Sequence, residues 1–106
     1  MAMQTLTLRT RRQIPQIGLG VYKSEPGPVT KNAVRAALET GYRHIDTAMI
    51  YNNENDVGET IRASGLDRSE VFVTTKLWND DHGYDNTLAA FNRSLEQLGL
   101  DYVDLY

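Results

Sequence analysis

Residues Pro28–Asp46, PVTKNAVRAALETGYRHID, decide the fold. Pro28 suits a first helical turn, where a missing N–H donor costs nothing. Ala33, Val34, Ala37 and Leu38 then share one stripe of an α-helix, and Gly41 stands where a left-handed residue ends it. Tyr42-Arg43-His44-Ile45-Asp46 follows as a short strand. The same order of helix, glycine and strand recurs downstream. Val57 and Ile61, with a stop at Ser64-Gly65, carry a weaker helix before Val71–Lys76, a run rich in β-branched residues. Tyr84, Leu88, Phe91, Leu95 and Leu98, at steps of four and three, predict a third helix whose apolar side chains face the core; Gly99 closes it and Tyr102–Tyr106 reads as another strand. Upstream, Thr5–Leu8 and Ile14–Ile17 flank the polar stretch Arg9-Thr10-Arg11-Arg12 and predict a β-hairpin, its arginines in a solvated turn. Gly18–Tyr22 is a short apolar strand ended by the turn-rich Ser24–Pro28.

Strand starts at Ile17, Arg43, Val71 and Val103 therefore lie about 26 to 32 residues apart, with one helix in each interval. Repeated βα units joined by short connections imply parallel strands, in a barrel or an open doubly wound sheet. An eight-unit barrel takes about 250 residues, so 106 residues hold well under half of one. A sequence that stops inside an apolar strand is expected to be the N-terminal portion of something longer, since an unpaired edge invites association.

Composition narrows the function. The net charge of −3, from 11 Lys+Arg against 14 Asp+Glu, offers no electrostatic footprint for nucleic acid or anionic lipid. With no cysteine there is no disulfide, thiolate zinc site or Cys nucleophile. No apolar run approaches the ~18 residues of a membrane span, and Arg9, Arg11, Arg12 and Gln13 interrupt any secretory signal, so a cytoplasmic location is expected.

Strand alternation puts His44 and Asp46 on one face and Phe72, Thr74 and Lys76 on another equivalent one. Asp46 and Lys76 then stand at C-terminal strand ends, where parallel sheets build their sites. Tyr51, five residues past Asp46, can reach the same mouth. An Asp, Tyr and Lys group supplies protons: a free phenol titrates near ~10, and an ammonium ~4 Å away at an effective dielectric of ~20 favours the phenolate by at most ~4 kcal/mol. Desolvation trims that figure. Such a phenol suits a reaction that generates an alkoxide, such as hydride addition to a carbonyl. An ordinary ion pair beside a loop aromatic fits the same spacing.

These residues also resemble a family. Gly18–Tyr22, Gly41–Ala48, Tyr51-Asn52-Asn53-Glu54, Val73–Asn79 and Leu98–Tyr106 look like the aldo-keto reductases, in order and with family-like spacing from about Gln4 onward. Within the family the chain is most similar to the small NADPH-dependent reductases grouped with diketogluconate reductases and protozoal prostaglandin F synthases. The resemblance implies a (β/α)8 TIM barrel, of which the chain holds about the first three and a half βα units behind an N-terminal hairpin. It implies NADPH-dependent reduction of a small carbonyl substrate, with Tyr51 as general acid, Lys76 as the ammonium that makes it acidic, and Asp46 as partner of Lys76. It further implies Gly20, Val21, Tyr22 and Asp46 on the cofactor side, and Tyr22, Ile50 and Trp78 around the substrate; Tyr22 stands where many relatives carry Trp. The family's catalytic His follows Asp-Leu-Tyr, so the 106-residue chain alone is expected to be inactive; the whole enzyme is expected to be a monomer. A partial barrel that self-associates or complements a C-terminal piece is the alternative.

Other readings are weaker. His44-x-Asp46 with His82 lacks the ligands of a metal site, and Gly18-Leu19-Gly20 lacks the third glycine and the helix of a dinucleotide fingerprint.

Overall fold

The computed structural model describes residues 4–106. β1 (Thr5–Thr7) and β2 (Gln13–Pro15) form the antiparallel hairpin, with Leu6 opposite Ile14. Its turn differs from expectation in one respect. The Arg12 guanidinium is not simply solvated but donates to Asp104 at 2.9 Å. Asp104 is a nearly buried carboxylate that needs donors, and it takes others from Arg68 and the Val73 N–H, each at 2.9 Å.

β3 (Leu19–Gly20), β4 (His44–Asp46) and β5 (Phe72–Thr74) form a parallel sheet in that order, with Gly20 opposite Asp46 and Asp46 opposite Thr74. Between and after them run α1 (Pro28–Thr40), α2 (Glu54–Ala63) and α3 (Tyr84–Leu98). Gly41 ends α1 at φ 111°, a conformation that a Cβ would strain, and its N–H reaches the Leu38 carbonyl. Alternation along the strands sends Ile45 and Val73 into a fully buried cluster with Val34, Leu38, Val57, Ile61 and Leu98. His44 and Thr74 lie on the opposite face and hydrogen-bond to each other.

Two expectations need correction. Tyr102–Tyr106 makes a single parallel bridge, Thr74 to Leu105, and no strand. The Asp104 side chain takes the Val73 N–H, and the Val73 carbonyl receives the N–H groups of both Asp104 and Leu105, so the ladder stops there. On α3, Tyr84 and Leu88 do not face the core: they are 84% and 51% exposed. The buried positions are Ala90, Ser94 and Leu98, because α3 seats the C-terminal half of its length on α2. Phe91 is half-buried and meets the Tyr106 ring edge-on at 4.9 Å.

Candidate active site

Beyond β4 the chain stays extended through Ala48, then makes a tight 3-10 turn over Met49–Tyr51 that Asn52 closes in the left-handed region at φ 58°. Asn suits that conformation better than most residues. The turn brings Tyr51 back over the strand ends, where Lys76 arrives from two residues past β5. The Lys76 ammonium bonds Asp46 Oδ1 and, at 2.9 Å, the Thr47 carbonyl. It lies 5.3 Å from the centroid of the Tyr51 ring, and the Tyr22 ring packs against Tyr51, tilted by 41° and also at 5.3 Å between centroids. Asp46 and Lys76 are each more than a third exposed, so their attraction adds little stability and leaves both open to a ligand.

Four sequence-predicted residues, Tyr22, Asp46, Tyr51 and Lys76, thus meet at one mouth. Gly20 faces open space there and Val21 is buried beneath. Ile50 is exposed, and the Trp78 indole donates to Asp80 at 3.1 Å; neither touches the four by a hydrogen bond or ring contact among the described residues.

His44 sits below the mouth, donating or accepting at Thr74 Oγ1 (2.9 Å) and packed edge-on against Phe72. Burial pushes its imidazole below the usual value of 6.5, opposed by the Asp46 charge and a Pro15 backbone hydrogen bond. The unfolded chain therefore binds this proton first on acidification. Stability present above about 6.5 is lost as pH falls through the folded-state value. The urea midpoint should accordingly drop between pH 7.5 and 5.5, and drop less in a His44→Gln variant; parallel pH dependences in both proteins would refute this.

Sequence reading missed the polar groups under the site. Asn53 and Glu54 are buried, the first with hydrogen bonds to Thr47, Val21 and Ser24, the second with one to Thr75. Extending the Val57 and Ile61 stripe back one helical turn would have placed both on the inner face.

Comparison with known proteins places the chain among relatives. The model of the aldo/keto reductase family matches residues 16–106. A 9,11-endoperoxide prostaglandin H2 reductase of Trypanosoma cruzi is 60% identical over 101 residues, covering 95% of this chain and 36% of that protein. A glyoxal reductase of Bacillus subtilis is 53% identical over 102 residues, covering 96% and 37%. The crystal structure of a Bombyx mori aldo-keto reductase in complex with NADP superposes with a TM-score of 0.91 at 42% identity, covering all of this chain and 38% of that one. The chain thus spans little more than a third of the length of these relatives. Its parallel α/β sheet, and the sequence that builds it, show that the chain belongs to the aldo/keto reductase family.

Proposed function

We propose that this segment carries the proton-donating part of an NADPH-dependent reductase of aldehydes and ketones, and that it forms the N-terminal portion of a cytoplasmic (β/α)8 barrel enzyme. One observation carries the reading: an ammonium held by Asp46 and the Thr47 carbonyl stands against the Tyr51 ring at the open ends of a parallel sheet. The family membership and the NADP-bound neighbour support it.

The residues present fit a nicotinamide cofactor. Gly20 leaves open space above β3, Tyr22 is 67% exposed, and Asp46 and Lys76 present a carboxylate and an ammonium at the same place. Gly20, Val21, Tyr22 and Asp46 would hold the cofactor, which supplies the hydride when bound. Tyr51 gives its hydroxyl proton to the carbonyl oxygen as that oxygen gains charge, leaving a phenolate that the Lys76 ammonium stabilises. Asp46 keeps Lys76 aimed. Tyr22, Ile50 and Trp78 would wall the substrate.

The test uses the full-length enzyme containing this segment, NADPH and a panel of small aldehydes and ketones. Absorbance should fall as one equivalent of alcohol forms per NADPH consumed. A folded, NADPH-binding enzyme that reduces none of the panel would overturn the reading.

A further inference from the structure

We infer that Asn53, at the start of α2, is a positioning residue that fixes Tyr51 and Tyr22 against the Lys76–Asp46 pair; the inference rests on the reductase reading above. Asn53 is fully buried. An Asn at the entrance of a helix ordinarily turns its side chain to a free N–H of the first turn. Here it makes no such bond, and its backbone carbonyl alone receives the Val57 N–H at 3.1 Å.

The amide is spent on the site's supports instead. Its nitrogen donates to the Val21 carbonyl at 3.0 Å and the Ser24 carbonyl at 3.3 Å, and its oxygen accepts from the Thr47 hydroxyl at 2.8 Å. Carbonyls accept only, so the orientation of the amide is fixed by chemistry. Val21 precedes Tyr22. Thr47 follows Asp46, and its carbonyl holds Lys76. Tyr51 lies two residues before Asn53 itself. The neighbouring Glu54 carboxylate takes the Thr75 hydroxyl at 2.6 Å, next to Lys76. Two consecutive polar residues thus clamp the ends of β3, β4 and β5.

A neutral amide is required at this point. A carboxylate would face two carbonyl oxygens, and an apolar side chain would leave the buried Thr47 hydroxyl without an acceptor and take one donor each from the Ser24 carbonyl and from the Val21 carbonyl, which keeps the Ser24 N–H. Either change frees the Tyr22 loop and the Tyr51 turn to drift, and small misplacements of catalytic groups cost large factors in rate.

The experiment compares Asn53→Ala and Thr47→Val in the full-length enzyme. Turnover is measured at saturating NADPH and aldehyde per enzyme molecule that quenches NADPH fluorescence, alongside the nuclear Overhauser signal between the Tyr22 and Tyr51 rings. Turnover should fall roughly 100-fold in Asn53→Ala and about 10-fold in Thr47→Val, with the ring-to-ring signal weakened or absent in both. Thr47→Val preserves shape and removes only the hydroxyl donor, so it decides the matter alone if Asn53→Ala does not fold. Turnover per loaded enzyme within about twofold of the parent, or a ring-to-ring signal of undiminished strength, would overturn the inference. Tyr51→Phe in the same assay separates the two failures: if that variant stays active, the reductase reading is what fails.

Discussion

Replacing Tyr51 by Phe in the full-length enzyme is expected to lower turnover about 1,000-fold, within the range by which positioned general acids accelerate reactions. The substitution is informative because of what it keeps. A phenyl ring can still pack against Tyr22 at 5.3 Å and lie under the Lys76 ammonium at the same distance, and the turn at Met49–Tyr51 is held by backbone groups. Only the hydroxyl goes. On the proposed mechanism NADPH binding should therefore persist, as should the unfolding midpoint, while the step that neutralises the alkoxide would lose its proton source. A loss shared equally between turnover and cofactor binding would show that the hydroxyl positions the cofactor. Retention of more than roughly a tenth of the turnover would exclude Tyr51 as the donor.

The legible and illegible parts of this chain differ in physical kind. Gly41, Pro28 and the Ala33–Leu38 stripe act within one element, through backbone conformation and periodicity, and the structure has α1 from Pro28 to Thr40 as those signals imply. Asp46, Tyr51 and Lys76 were readable because alternation and short connections already fix their direction, and they do meet. Asn53 was not. Its role depends on the carbonyls of Val21 and Ser24, about thirty residues away, and no local pattern announces such a partner. Asp104 misled for the same reason: it sits in an apolar run of strand type, yet Arg12, Arg68 and the Val73 N–H recruit its carboxylate and end the ladder. On α3 the stripe of large apolar residues suggested the inner face, but of that stripe only Leu98 is fully buried, in line with the small residues Ala90 and Ser94. Ala90 and Ser94 let the helix lie close, and Tyr84 projects past the contact.

That close contact predicts a large effect for Gly58→Ala. In an isolated helix the change would stabilise by about 1 kcal/mol, because alanine has the higher propensity. Here Gly58 lies on α2 directly against the last turn of α3, and a Cβ would overlap the Leu98 carbonyl oxygen and come within 2.7 Å of the Leu98 Cα. These are backbone atoms, so no rotamer change relieves the clash. Nor can the turn retreat easily: Leu98 is fully buried, the Gly99 N–H is bonded to the Leu95 carbonyl at 2.8 Å, and the Arg62 side chain lies against Gly99. Overpacking against rigid backbone outweighs the propensity gain, and a net loss of about 3 kcal/mol is expected, read as a lower urea midpoint at unchanged slope. Separation of α2 from α3 would also tilt the end of α2 that carries Asn53 and Glu54, so turnover should fall in the molecules that remain folded. A Gly58→Ala protein as stable as its parent would mean that the two helices part at little cost, and that the clamp on the strand ends does not depend on α3.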